Sequence, residues 1–158
     1  MSKIVIEGGY PLQGTVRVGG GKNAALPIMA ASILSAGPLT LQNIPRLHDV
    51  DTMEKVINAL GVKTVRQPNG DWTFCSEDGV HDEAPYELVK AMRASFFVMG
   101  PLLARLGRAR VPLPGGCAIG GRPVNIHLKG FEALGAKVSL DAGCAVAIAD
   151  KLVELRKN

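Results

Sequence analysis

The chain repeats itself, and that repeat narrows what it can fold into more than any single motif. Val50-Asp-Thr-Met-Glu-Lys-Val-Ile-Asn-Ala-Leu-Gly-Val-Lys63 and Val124-Asn-Ile-His-Leu-Lys-Gly-Phe-Glu-Ala-Leu-Gly-Ala-Lys137 run in step at a constant offset. A second pair, Asn23–Gly37 and Arg93–Gly107, also matches, at an offset shorter by about four residues. Both halves then read as helix, strand, helix and hairpin, an α/β plan built twice. Residues 21–80 form the first unit, 81–158 the second, and 1–20 precede them as N-terminal strands.

The periodicity fills in this plan. Ile4–Ile6 is β-branched and ends at Gly8-Gly9, and Leu12–Val18 has apolar side chains at Leu12, Val16 and Val18, with Gly14 breaking the pattern, before Gly19-Gly-Gly21, which predicts two short strands. A helix capped by Asn23 runs to Ser35 and stops at Gly37-Pro38, with Pro27 in its first turn. Leu39–Ile44 reads as a strand. Asp49 or Asp51 caps a helix over 51–60, whose Met53, Val56, Ile57 and Leu60 share a face before Gly61. Val62–Arg66 and Asp71–Ser76 pair around Pro68-Asn-Gly70. Tyr86–Leu106 is helical with an interruption near Gly100-Pro101. Ala109–Leu113 is a strand and Asn125–Leu134 a helix, and Ala136–Leu140 pairs with Cys144–Ala149 around Asp141-Ala-Gly143.

The extra residues of the second unit fall within Pro114–Gly121, a glycine-rich loop inserted on the repeated scaffold. Insertions of this kind are where function concentrates. The passage Leu113-Pro-Gly-Gly-Cys117-Ala-Ile-Gly-Gly-Arg122-Pro-Val-Asn-Ile-His127-Leu-Lys129 sets a lone cysteine among Arg122, His127 and Lys129. Positive surroundings favour a thiolate, able to serve as nucleophile or acid. Cys75 and Cys144 fall on strands and read as small buried hydrophobes.

Gly19-Gly-Gly-Lys22-Asn23 lacks the spacing and the Ser/Thr of a P-loop. It still places free N–H groups and a cation at a helix start, where a phosphate or carboxylate is favoured. The competing reading is a glycine turn with Lys22 in solvent. Arg93 stands at the repeat position of Asn23, aimed at the same cleft if the repeats face one another, and otherwise an ordinary surface arginine.

Composition enters by exclusion. A net charge of +4 with no run of five basic residues suits acidic small molecules rather than nucleic acid. Three cysteines with no C-x-x-C argue against a disulfide framework or a zinc site and for a reducing compartment. The N-terminus has no apolar leader, and no 18-residue apolar run occurs, so a cytoplasmic protein without membrane contact is expected.

Lys22-Asn-Ala-Ala-Leu-Pro-Ile28, Asp49-Val-Asp-Thr52, Met92-Arg-Ala-Ser95 and the cysteine passage closely resemble the UDP-N-acetylglucosamine 1-carboxyvinyltransferases. These are enolpyruvyl transferases that open peptidoglycan synthesis, and the resemblance runs from residue 1 to about 150, the N-terminal part of such enzymes. It implies an inside-out α/β barrel, with two of the βαβαββ units present here. It also implies transfer of the enolpyruvyl group of phosphoenolpyruvate to the 3-hydroxyl of UDP-N-acetylglucosamine, with no cofactor or metal. Matching positions give Lys22, Asn23 and Arg122 to phosphoenolpyruvate. Arg93, Arg122, Pro123, Val124, Asn125 and Ile126 go to the nucleotide sugar. Cys117 becomes the acid or adduct residue and the site of alkylation by fosfomycin. Asn125 replaces the usual aspartate, making one nucleotide contact neutral. The family's general-base aspartate and a further phosphate-binding arginine lie beyond the matched stretch. The chain therefore reads as half a site, with little turnover alone. The alternative is an inactive truncated relative that serves as a nucleotide-sugar-binding or interaction module. Exposed sheet edges make self-association an expectation in either case.

Overall fold

A computed structural model describes residues 3–76, 79–114 and 124–152. After an extended lead-in come helix α1 (Lys22–Ala31), a 3-10 turn (Ser32–Leu34), β1 (Leu39–Leu41), α2 (His48–Ala59), β2 (Lys63–Arg66) and β3 (Trp72–Cys75). The second half has α3 (Tyr86–Ala91), a 3-10 helix (Arg93–Val98), α4 (Met99–Leu106), β4 (Arg108–Pro112), α5 (Asn125–Ala133), β5 (Lys137–Asp141) and β6 (Cys144–Ile148).

Two three-stranded sheets result, ordered β1-β3-β2 and β4-β6-β5. In each, the hairpin's second strand lies in the middle, antiparallel to both neighbours. The helix between the outer strands therefore crosses over the central strand. The register repeats as well. Leu39 opposes Phe74 and Lys63 opposes Cys75 in the first sheet; Ala109 opposes Ala147 and Lys137 opposes Ile148 in the second. Each of these residues holds the repeat position of its counterpart.

Period-two burial explains β3, where Trp72 and Phe74 are buried and Thr73 and Cys75 are half-buried. A 3.6-residue stripe explains α2, which buries Val50, Met53, Val56 and Ile57. These side chains join Met29, Ile33, Leu60, Met99, Leu102 and Leu103 in one core shared by both halves. The second sheet gains a further edge from residues 82–84: Arg110 N donates to Asp82 O at 2.7 Å and Ala84 N to Arg110 O at 3.0 Å.

Several sequence expectations need correction. Residues 3–18 form no strand; Ile4, Ile6, Leu12, Val16 and Val18 are exposed along an unpaired backbone. β-branched residues make a strand only where an edge accepts their hydrogen bonds. The break in the 86–106 stretch falls at Met92 (φ −147°, ψ 121°), not at Gly100-Pro101, which lie in the first turn of α4. A proline costs little there because its missing N–H has no helical partner. Asn23 is inside α1, and Gly21 is the cap. Pro27 is accordingly in the second turn, and its ring leaves the carbonyl of Asn23 without the usual helical donor. No helix among the described residues is long and apolar enough to cross a membrane.

Candidate active site

The site is built from helix starts. Gly20 lies against the loop between β1 and α2: a Cβ on it would sit 1.9 Å from the carbonyl oxygen of Asn43, itself in the left-handed region at φ 56°. Only glycine lets the two backbones approach this closely. The approach brings the start of α1 to the start of α2.

At α1, Gly21 O accepts from Ala24 N (3.2 Å) and Ala25 N (2.9 Å), and no side chain caps the helix. The N–H groups of Lys22 and Asn23 are thus free of intrahelical partners. At α2, Leu47 is the cap, with Leu47 O accepting from Val50 N and Asp51 N. Asp49 and Asp51, expected as cap candidates, are inside the first turn, where their charge complements the helix dipole. Each holds a cation. Lys22 Nζ lies 2.8 Å from Asp49 Oδ2, and Arg66 Nη2 donates to Asp51 Oδ1 at 2.5 Å.

Arg66 is fully committed. It also bonds both carboxylate oxygens of Glu54 and lies 4.2 Å over the Trp72 ring. Its hydrogen bonds to Glu54, and then to Asp51, raise its pKa above the ordinary arginine value. Arg66 lines the neighbouring groove of about 420 Å³ together with Arg46, His48, Asp51 and Trp72, and its charge there is taken up by Asp51 and Glu54.

In the second half, Arg93 opens the 3-10 helix and is exposed, and that helix packs against α1. Val124 is buried beneath the start of α5, whose Asn125 and Ile126 are exposed. His127 faces Phe96 (6.0 Å between ring centroids) and Phe97 (6.1 Å), tying α5 to the helix that begins at Arg93. Lys22 and Asn23 thus share one helix start. Arg93 lies on the adjoining element, and Val124, Asn125 and Ile126 on the next. Cys117, Arg122 and Pro123 lie outside the described residues. Cys144 is buried and Cys75 half-buried, each on a strand.

Sequence reasoning missed the direct pairing of Lys22 with Asp49. The available signal was a cation in the first turn of α1 and two acids, Asp49 and Asp51, in the first turn of α2, and nothing in their spacing shows that the helices meet.

A family profile described as EPSP synthase (3-phosphoshikimate 1-carboxyvinyltransferase) matches residues 6–156, past the point near 150 where the motif resemblance stopped. Similar curated proteins include UDP-N-acetylglucosamine 1-carboxyvinyltransferase 2 of Carboxydothermus hydrogenoformans, 53% identical over 96% of this chain and 36% of its own length. The UDP-N-acetylglucosamine 1-carboxyvinyltransferase of Nitratidesulfovibrio vulgaris (strain DP4) is likewise 53% identical over the same shares. The chain thus spans about a third of the length of the curated relatives it matches. Among solved structures, the enolpyruvyl transferase NikO from Streptomyces tendae superposes with a TM-score of 0.74 at 23% identity, covering 92% of this chain and 32% of that one.

Proposed function

The chain belongs to the EPSP synthase family and its fold is of the enolpyruvyl transferase type; from that premise we propose that it supplies one side of a site that transfers the enolpyruvyl group of phosphoenolpyruvate to the 3-hydroxyl of UDP-N-acetylglucosamine. The observation that carries this reading is the 53% identity, over 96% of the chain, to proteins bearing that activity in their names. The two repeated units are then part of an inside-out α/β barrel. Residues 21–80 and 81–158 are its units, and the extended residues 3–18, unpaired here, take strand partners only in the whole enzyme.

The chemistry assigns the parts. The sugar hydroxyl gives up its proton and adds to C2 of phosphoenolpyruvate while C3 takes a proton. The C2–O bond to phosphate then breaks in the tetrahedral adduct as C3 returns a proton, which restores the double bond of the enolpyruvyl ether. Negative charge gathers on the phosphate, so a fixed cation at that point stabilises the transition state more than the ground state. Lys22, beside the free N–H groups that open α1, supplies that cation, and Asn23 orients the anion. Arg122 joins them. Arg93 and the stretch Pro123, Val124, Asn125 and Ile126 hold the nucleotide sugar, and Cys117 delivers the proton or forms the adduct on a loop that covers the substrates. This sets the reading in peptidoglycan synthesis, in the cytoplasm. The outer strands β2 and β5 have no strand partner beyond them among the described residues, which supports self-association of the chain alone.

Mass spectrometry after fosfomycin treatment tests the reading. Selective alkylation of Cys117, over the half-buried Cys75 and the buried Cys144, is the expected result. Equal labelling of all three, or none, would count against it. Calorimetry with UDP-N-acetylglucosamine reads the sugar side, where an Arg93→Ala chain should lose binding.

A further inference from the structure

We propose that Asp49 is a positioning residue that fixes Lys22 for the anion, resting on the reading above that Lys22 meets the phosphate of phosphoenolpyruvate. The geometry is a 2.8 Å ion pair whose side chains are 47% and 35% exposed. A pair this open adds little to stability. A carboxylate beside an anion-binding lysine also repels the anion, so its pairing with Lys22 needs a reason beyond the α2 dipole, which Asp51 complements as well.

The two units supply that reason. The repeat position of Lys22 in the second unit is Met92, and that of Asp49 is Pro123. The repeated scaffold therefore folds the second time without this pair, and the pair is an addition to one unit. A lysine stem is flexible, and the positive end of α1 pushes its ammonium outward. Asp49 counters both. It is rooted in the first turn of α2, which the contact of Gly20 with Asn43 keeps against the start of α1. The ammonium is thereby held at the meeting point of two helix starts, where free N–H groups also point.

The two roles for Asp49 differ in sign. If it only repels, D49N tightens anion binding; if it positions, D49N weakens it. The test is titration of the full chain with phosphoenolpyruvate, followed by NMR, for wild type, D49N, K22Q and the double variant. The expected result is weakening of about threefold or more for D49N, and no further loss when D49N is added to K22Q. Binding by D49N as tight as or tighter than wild type overturns the inference while leaving Lys22 its role. An equal loss from D49N in the K22Q background also overturns it, since Asp49 would then act on the fold. A K22Q chain that binds like wild type, or a wild type that does not bind, overturns both the inference and the assignment of Lys22.

Discussion

Arg105 Nη1 donates to the backbone carbonyl of Ser35 at 3.0 Å, and these two residues occupy the same place in the two repeats. The position that ends the 3-10 turn in the first unit carries, in the second, the cation that caps that turn. The same nitrogen donates to Ile33 O (2.6 Å) and Ser76 Oγ (2.7 Å), and Ser76 Oγ donates to Ser35 O (2.7 Å). Carbonyls at a helix end lack intrahelical donors, so a charged side chain from the neighbouring unit satisfies them and joins the halves.

Arg105→Ala should therefore cost about 2 kcal/mol or more, because it removes three charge-assisted hydrogen bonds at once and leaves the part-buried Ile33 carbonyl without that donor. Ser35→Ala keeps the accepting carbonyl and should cost under about 1 kcal/mol. Urea unfolding of both variants checks the ordering, and equal losses would show that the carbonyl bonds are not what joins the units.

The contact beneath Lys22 makes a second prediction. Gly20→Ala drives a methyl into Asn43 O and should cost about 1–3 kcal/mol. Gly19→Ala meets nothing within 4 Å and serves as the control. Loss of phosphoenolpyruvate binding in the Gly20 variant alone would show that this approach seats Lys22.

Much of this was legible in the sequence because it is local. The stripe of Met53, Val56, Ile57 and Leu60, the glycines closing α2 and α5, and the turns at Pro68-Asn-Gly70 and Asp141-Ala-Gly143 each declare an element within a few residues. Lys22 was legible as a cation at a helix start. What failed depends on distant partners. Ile4–Ile6 has strand chemistry but pairs with no sheet edge here, and the Lys22–Asp49 and Arg105–Ser35 contacts join segments whose meeting no spacing reveals. The position of Met92 as the helix break has no signal comparable with Gly100-Pro101, so composition pointed to the wrong residue.

The arginine under α2 gives a third prediction. Its raised pKa means that its charge contributes fully below the ordinary arginine value and is lost only as pH rises through the higher folded value. Between about pH 5 and 9 that contribution is flat, so mutation is the useful probe. Glu54 accepts from Thr64 Oγ1 (2.9 Å) as well as Arg66, and its side chain is 17% exposed against 46% for Asp51. Glu54→Ala should cost about 1–2 kcal/mol and Asp51→Ala about 0.5 kcal/mol. Fluorescence of Trp72, the single tryptophan, reports both through the stacked guanidinium.

The two equivalent helices are not equally loaded, and a matched pair of substitutions measures the difference. Met53 in α2 and His127 in α5 hold the same repeat position. Met53 is fully buried, because α1, α3 and the 3-10 helix all pack on α2. His127 is exposed and, among the described residues, its ring meets Phe96 at a tilt and Phe97 in a T-shaped contact, and no residue of α5 is fully buried. Met53→Ala leaves a cavity in the shared core and should cost about 2–5 kcal/mol. His127→Ala removes a ring contact of about 1 kcal/mol. Should an added protein segment cover α5, as α3 and the 3-10 helix cover α2, the His127 cost would rise toward the Met53 value. Chemical unfolding with and without that segment reads the change directly, and a His127 loss that is already large in the chain alone would mean that α5 is supported by contacts other than these rings.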